Sequence, residues 1–288
     1  MGQAVYRGFD ADAMELQYNP RLAVDDVDRV IADWTQRSAD FTTQISCELD
    51  LAYGPRAQET LDLYKPATPA GPVLIFIHGG YWRALDKQPS AFSPQPLVAA
   101  GALVASINYT LCPAVTLDEI VRQSRAACAW VWRNAAAHGA DPDRIHVTGH
   151  SAGGHLAAMM AATRWPEFAH GLPADLLKSA TAVSGLFDLE PILSTPVNGD
   201  VRMDAAMAAR NSPMALTPAH DMPMTIAVGG GETDEFRRQS REFRDHWADR
   251  LGTIDYIETA GENHFTVVEG QADPDNPITR ALLGHLGL

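Results

Sequence analysis

The feature that most constrains the fold is the segment from Ile145 to Ala162, where a β-type run passes directly into a helix-forming run. The junction reads Gly-His-Ser-Ala-Gly over residues 149–153, with Ser151 at its centre. A turn this sharp strains its central residue and leaves no space for side chains at Gly149 and Gly153. We predict a strand, a tight turn and a helix. The Ser151 hydroxyl then lies at a helix N-terminus, where unpaired N–H groups favour developing negative charge.

A second glycine-rich turn follows an earlier apolar run. Residues 73–77 are continuously apolar, which is typical of a strand buried on both faces, and the run ends in His78-Gly-Gly-Tyr-Trp82. A glycine pair lets the backbone approach a substrate closely, and its N–H groups can donate to an oxyanion. We predict an oxyanion hole formed by the N–H of Ala152 together with that of Gly80 or Tyr81.

A serine nucleophile needs a neutral imidazole to take its proton and a carboxylate to orient that imidazole. His264 is the candidate base, because it lies on a loop after the last predicted strand and can reach back to the turn. Glu232, Asp234 and Glu235 follow the predicted strand 225–229. Glu232 is favoured as the acid since it lies at the strand edge, whereas Asp234 and Glu235 resemble a first helical turn. Asp234 remains the alternative.

The chain as a whole alternates β-type runs with amphipathic helices, which predicts an α/β fold. We count about eight strands in an open sheet with helices on both faces, mostly parallel after a first antiparallel pair. We expect one domain over residues 1–288, with an N-terminal helical segment at about 10–41. Its apolar stripe either packs on the core or covers the mouth of a site. A cap or lid insertion is expected at about 185–222.

Charge and composition limit the partners. The net charge is −14 and no Lys/Arg run occurs, which argues against nucleic acid and anionic membranes and favours a neutral or cationic small-molecule substrate, unless the charge only serves solubility. No His, Cys, Asp or Glu cluster has metal-ligand spacing, so we expect no metal, no cofactor and no metal-dependent amidohydrolase. The sequence leaves a homodimer open.

Cys47, Cys112 and Cys128 are widely spaced, which indicates reduced thiols rather than disulfides or a zinc site. The segment Met1–Tyr6 lacks the basic start and apolar core of a secretory signal. No apolar run approaches the ~20 residues of a membrane span. Together these features predict a soluble cytoplasmic protein.

The two glycine motifs carry a family resemblance. The chain resembles the α/β-hydrolase superfamily, in which the order serine, acid, histidine is expected. His78-Gly-Gly-Tyr-Trp82 with Gly149-His-Ser-Ala-Gly153 is similar to the kynurenine formamidase (arylformamidase) branch, whose members carry His-Gly-Gly-x-Trp. The block Val228–Ser240 and the start at Tyr18-Asn19 are also similar. The branch places its catalytic acid at the position of Glu232, where the animal enzymes usually have Asp.

This resemblance implies a serine hydrolase that removes a formyl group from an aryl formamide such as N-formylkynurenine. A short-chain carboxylesterase is the first alternative, and a non-catalytic binding protein with the hydrolase fold is the second. Because an aryl substrate needs apolar contact, we place Trp82 beside it, with Phe265, Trp165 and Phe187 as other candidates. A core role for Trp82 is the competing interpretation.

Overall fold

The computed structural model describes residues 4–69 and 71–288. Residues 1–3, on which part of the argument against a secretory signal rests, lie outside this range. The strands are β1 Cys47–Ala52, β2 Thr60–Tyr64, β3 Gly71–Ile77, β4 Leu103–Ile107, β5 Ala140–His150, β6 Leu177–Val183, β7 Met224–Gly229 and β8 Ile254–Thr259. The α-helices are α1 Ala11–Tyr18, α2 Val27–Gln44, α3 Gln95–Ala100, α4 Leu117–Asn134, α5 Ala152–Ala161, α6 Trp165–Phe168, α7 Asn198–Val201, α8 Ala205–Arg210, α9 Asp234–Ala248, α10 Thr266–Gly270 and α11 Pro277–Leu286.

The strands form one eight-stranded sheet in the order β1-β2-β4-β3-β5-β6-β7-β8. Strand β2 is antiparallel to both β1 and β4, and every pair from β4 to β8 is parallel. The predicted mostly parallel sheet with a first antiparallel pair is therefore confirmed. Because the parallel strands all end at the same edge, the loops that follow β3, β5, β6, β7 and β8 can meet there.

The sheet is buried on both faces. Strands β3, β4 and β7 consist of buried residues along almost their whole length, as their continuous apolar runs predict. One apolar cluster packs α4, α5 and α9 against one face, and a second packs α2, α3 and α11 against the other. Thr116 caps the N-terminus of helix α4, where its hydroxyl accepts a hydrogen bond from the Glu119 N–H at 3.3 Å.

The N-terminal segment contains two helices. Asn19 and Pro20 interrupt the helical pattern, so that α1 and α2 are separated by a short 3₁₀ turn, Pro20–Leu22. Trp34 of α2 is buried in the core and its indole N–H donates to Glu269 at 2.9 Å. The segment thus packs on the core, as one of the two interpretations predicts.

The segment between β6 and β7 interrupts the alternation of strands and helices. It contains α7, α8 and two 3₁₀ helices, Glu190–Ser194 and Pro213–Ala215. Its place in the chain agrees with the insertion expected at about 185–222. Among the described residues, no helix is both long enough and apolar enough to cross a membrane.

Three buried histidines make the stability of the fold depend on pH. Burial lowers the pKa of His78, His146 and His155 to about 4 in each case. An unfolded chain binds protons at these residues below its ordinary His pKa of about 6.5. The folded state stays neutral there until about pH 4, so stability is full above pH 6.5 and falls as the pH decreases toward 4.

We therefore expect the free energy of unfolding, and with it the urea midpoint, to fall between pH 7 and pH 5. The free energy should fall by up to about 1.4 kcal/mol per histidine for each pH unit below 6.5. His146→Gln removes one of the three groups, and its stability should depend less steeply on pH. A midpoint that stays constant over this range would contradict the expectation. Urea unfolding followed by circular dichroism at several pH values measures it.

Candidate active site

The turn between β5 and α5 has the predicted strained geometry. Ser151 has φ +57° and ψ −119°, a left-handed conformation that non-glycine residues rarely adopt, and only 4% of its surface is exposed. A Cβ added at Gly149 would lie 2.3 Å from the Gly153 carbonyl oxygen. A Cβ added at Gly153 would lie 1.9 Å from the Ile77 carbonyl oxygen. Both glycines are thus required because backbone from β3 and α5 occupies the space of a side chain.

His264 connects the turn to a carboxylate. Its Nε2 lies 2.9 Å from the Ser151 Oγ, and its Nδ1 lies 2.6 Å from the Glu232 Oε2. His264 and Glu232 are both buried. Asp234 lies in the first turn of α9 with 84% of its side chain exposed, 3.7 Å from Arg237. The structure therefore brings Ser151, His264 and Glu232 together and leaves Asp234 outside this group.

Ser184, which no sequence motif indicated, binds the other oxygen of the Glu232 carboxylate. Its hydroxyl donates a short hydrogen bond to the Glu232 Oε1, which also accepts the Gly229 N–H at 2.8 Å. Ser184 follows β6 in a left-handed conformation, φ +52°. Its position at the carboxyl end of a strand next to β7 was the only signal in the sequence. With both oxygens bound, Glu232 is fixed in the orientation that faces His264.

The imidazole of His264 lies between two rings. His150 lies on one side with its ring centroid 4.6 Å away, and Phe236 has its centroid at 4.7 Å. Burial, with a smaller contribution from His264, holds the pKa of His150 well below its ordinary value, so His150 is neutral. The contacts restrict rotation of the His264 ring without adding a second charge beside it.

The loop after β3 exposes backbone donors near Ser151. Gly80, Tyr81 and Trp82 have φ values of +109°, +50° and +58°. These residues form a left-handed turn, in which the Arg83 and Ala84 N–H groups donate to the Gly80 carbonyl oxygen at 3.1 and 3.0 Å. Ala152 is the first residue of α5, where an N–H has no acceptor within the helix. Among the described residues, no backbone hydrogen bond outside the helices and strands uses the N–H of Gly80, Tyr81 or Ala152.

Tyr81 is held in this conformation by the N-terminal segment. Its phenol donates a short hydrogen bond to the Tyr18 carbonyl oxygen. The Tyr18 hydroxyl in turn donates to Glu235 at 2.6 Å, and Arg238 donates to both oxygens of Glu235 at 2.8 and 2.6 Å. Burial alone would raise the pKa of Glu235, but the hydrogen bonds from Arg238 and Tyr18 lower it overall, so the group is a carboxylate.

This network links two parts of the site. Glu235 follows Glu232 by three residues, so the chain that positions the acid also anchors Tyr18, and Tyr18 anchors the loop after β3.

His78 supports the same loop through a second set of contacts. It stacks on Tyr109 with ring centroids 4.3 Å apart, and its Nδ1 lies 2.7 Å from the Gly79 carbonyl oxygen.

A cavity opens above Ser151, with an empty volume of about 730 Å³ that includes its open mouth. Its lining comes from four parts of the chain: the N-terminal segment, the loop after β3, the serine turn with the His264 loop, and the insertion. The lining residues are Asn19, Pro20, Arg21, Ile31, Gly79, Gly80, Tyr81, Arg83, Ala84, Leu85, His150, Ser151, Val197, His264 and Phe265. Because Ile31 is among these residues, α2 lines the cavity in addition to packing on the core.

The aromatic candidates divide between cavity and core. Phe265 lines the cavity. Trp82 does not: it is fully buried and its indole N–H donates to the His155 Nδ1 at 3.2 Å, which corrects its assignment as a substrate-binding residue. Phe187 stacks on Phe243 at 4.2 Å, and Trp165 is fully buried in the same apolar cluster. The Trp82 ring also contacts the His155 ring edge-on, with centroids 5.0 Å apart.

The described residues contain no group of three or more His, Cys, Asp or Glu side chains that could hold a metal ion. The functional groups at the site are instead a hydroxyl, an imidazole and a carboxylate, which are joined by hydrogen bonds. This arrangement can activate a hydroxyl for attack on a carbonyl, with the backbone N–H groups placed to stabilise the negative charge that develops.

Comparison with known proteins gives the family. The BD-FAE family profile matches residues 61–247. The chain is 32% identical to the kynurenine formamidase of Danio rerio, over 98% of both chains. It is 41% identical to the esterase LipQ of Mycobacterium tuberculosis over 39% of this chain and 28% of the relative. A solved Silicibacter sp. TM1040 structure, described as a candidate thioesterase, is 31% identical with a TM-score of 0.81, covering 92% of this chain and 96% of the other.

These relatives are hydrolases and esterases, which excludes the interpretation as a non-catalytic binding protein. They also confirm the resemblance on which the predicted fold and reaction class rested. The chain belongs to the BD-FAE family of α/β-hydrolases, and it is an enzyme related along almost its whole length to kynurenine formamidase.

Proposed function

We propose that this protein is a serine hydrolase that cleaves the formyl group from an aryl formamide such as N-formylkynurenine, through a formyl-enzyme. The observation that carries the proposal is the relationship to the Danio rerio kynurenine formamidase over 98% of both chains. The hydrogen-bonded set Ser151, His264 and Glu232 supports it, because these groups provide the chemistry that the reaction needs.

The first half of the reaction forms the acyl-enzyme. The Ser151 Oγ attacks the formyl carbon while its proton passes to the His264 Nε2, which lies 2.9 Å away. The carbonyl oxygen becomes an oxyanion that accepts hydrogen bonds from the N–H of Ala152 and that of Gly80 or Tyr81. The C–N bond then breaks, and His264 returns the proton to the departing aryl amine. Glu232 stabilises the imidazolium throughout.

The second half releases the acid. A water molecule gives its proton to His264 and attacks the formyl ester, and the same backbone donors hold the second oxyanion. The C–O bond to Ser151 breaks, the proton returns from His264 to the Ser151 Oγ, and formate leaves. We propose that the enzyme requires neither cofactor nor metal for this cycle.

The remaining parts of the proposal concern organisation and setting. We infer that residues 1–288 form one domain, in which the segment 185–222 acts as a cap. The contribution of Val197 to the cavity wall and an ion pair between Arg83 and Asp200 support this role. We further propose that the protein is cytoplasmic, acts on a small-molecule substrate and forms a homodimer. We propose that it binds neither nucleic acid nor membranes.

A short-chain carboxylesterase is the second candidate function. The 41% identity to the esterase LipQ over 39% of this chain favours it. An ester leaving group needs less protonation than an aryl amine, so the same groups can perform both reactions.

Replacement of the triad residues tests the catalytic assignment. Ser151→Ala and His264→Ala should each lower kcat by about 10⁴ to 10⁶, because nucleophile and base act as one unit. Glu232→Gln should lower kcat by about 10² or more, since it leaves the imidazole in the wrong tautomer. Asp234→Asn is the matched control and should cost only a few-fold. Steady-state kinetics on folded variants measures these values, and equal small losses from both acid variants would refute Glu232 as the acid.

Removal of the Tyr81 hydroxyl tests the oxyanion loop. Tyr81→Phe loses the hydrogen bond to the Tyr18 carbonyl, so the strained loop is held less firmly, and kcat should fall about tenfold with a smaller change in KM. Tyr256→Phe, which loses a hydrogen bond to Glu258 on β8, is the control and should keep its activity. A Tyr81 variant with unchanged kcat would exclude this role for the phenol.

Substrate preference separates the two candidate functions. An aryl formamidase should turn over N-formylkynurenine with kcat/KM of at least ~10⁴ M⁻¹s⁻¹, the usual range for a physiological substrate. Short-chain p-nitrophenyl esters should react as well, because their leaving group is better. Both substrates should be measured on one preparation. Rapid ester cleavage without detectable formamide cleavage would leave the carboxylesterase as the function.

A further inference from the structure

The charge of the cavity differs from the charge of the protein. The chain carries a net charge of −14. The only formally charged side chains that line the cavity, within the part of the chain that the structure describes, are Arg21 and Arg83. No carboxylate among the described residues lines it. A substrate in the cavity therefore meets two guanidinium groups, each paired with one exposed carboxylate outside the lining, although the protein as a whole would repel anions at long range.

The two arginines belong to different parts of the site. Arg83 follows Tyr81 by two residues, so its Cα lies within about 7 Å of the Tyr81 Cα, the reach of two extended residues. Arg21 lies in the 3₁₀ turn of the N-terminal segment, next to Asn19 and Pro20, which also line the cavity. A group bound between them can belong to the same small molecule whose carbonyl is held by the oxyanion loop.

Both guanidinium groups can accept a new anionic partner. Arg21 contacts Asp28 through one nitrogen at 2.5 Å, and Arg83 contacts Asp200 through one nitrogen. The carboxylates are exposed, with 90% of the Asp28 side chain and 53% of the Asp200 side chain accessible. Exposed ion pairs of this kind contribute little stability, because water competes for both partners. A guanidinium has five N–H donors, so each arginine keeps donors for a substrate carboxylate.

The same cavity also has apolar lining. Ile31, Leu85, Val197 and Phe265 line it together with the two arginines and Ser151. The lining thus combines an acyl-transfer site, apolar side chains that suit an aromatic ring, and two cationic side chains.

From this arrangement we infer that Arg83 and Arg21 form a carboxylate subsite, which makes the enzyme selective for aryl substrates whose side chain carries a carboxylate. The inference rests on the proposed function and deepens it, since N-formylkynurenine carries a carboxylate of this kind. Arg83 lies within residues 61–247, which the BD-FAE profile matches, and Arg21 lies outside them, so the subsite combines both parts of the chain.

The test compares two aryl formamides that differ only in a carboxylate-bearing group. 4-(2-Formamidophenyl)-4-oxobutanoate carries the carboxylate without the ammonium group of N-formylkynurenine, and 2-formamidoacetophenone has the same formylated aryl ketone without the carboxylate. The wild-type enzyme should prefer the anionic substrate at least about tenfold in kcat/KM, and this preference should decrease as ionic strength rises. Arg83→Gln should lower the preference about tenfold, through KM for the anionic substrate, and Arg21→Gln should lower it in the same direction.

Two control variants separate substrate binding from structural effects. Asp200→Asn removes the same ion pair as Arg83→Gln but leaves the guanidinium free, so it should keep or increase the preference for the anionic substrate. Arg280→Gln removes an exposed arginine that pairs with Asp275 on α11 and should leave the preference unchanged. Equal decreases in the Arg83 and Asp200 variants would show a structural ion pair and overturn the subsite, as would a wild-type preference near one.

A pair of esters distinguishes failure of the subsite proposal from failure of the formamidase proposal. Phenyl acetate and 3-acetoxybenzoate differ by a carboxylate on the leaving aryl group, and they report on the subsite even if no formamide is cleaved. Selectivity for 3-acetoxybenzoate that is lost in Arg83→Gln, without any formamide cleavage, supports the subsite and rejects the formamidase. Formamide cleavage with no charge preference in either pair supports the formamidase and rejects the subsite.

Discussion

The site depends on a close backbone contact between two neighbouring strands and the helix that follows one of them. A Cβ on Gly153 would lie 1.9 Å from the Ile77 carbonyl oxygen and 2.8 Å from that of His78. Ile77 ends β3 and His78 begins the loop that carries the oxyanion donors. The absence of a side chain at Gly153 therefore does two things at once: it permits the strained conformation of Ser151, and it brings the loop after β3 beside the nucleophile.

The rest of the machinery is fixed by hydrogen bonds that connect different loops at one sheet edge. Glu232 is bound by Ser184 after β6 and by the Gly229 N–H at the end of β7, and it faces His264 after β8. Because these groups come from the ends of three neighbouring strands, β6, β7 and β8, the sheet itself sets the distances. Preorganisation of this kind lets the dipoles stabilise charge without reorganising during the reaction.

Features that follow from a local sequence pattern could be predicted from the sequence alone. Apolar runs and glycine turns predicted the eight strands, and their order along the chain placed Ser151, Glu232 and His264 at one edge. Contacts between distant segments left no such signal. The contact of Ser184 with Glu232, the Tyr18–Tyr81 hydrogen bond and the burial of Trp82 against His155 are all defined by tertiary packing.

Net charge describes the whole surface and not the lining of one cavity. The chain carries −14, yet the cavity presents Arg21 and Arg83 and no carboxylate from the described residues. The two charges act over different distances. Charge averaged over the surface is screened within about 8–10 Å at physiological ionic strength, whereas a guanidinium in a partly desolvated cavity acts on a group in contact with it. A group bound in the cavity is therefore affected more by the side chains that line it than by the acidic exterior.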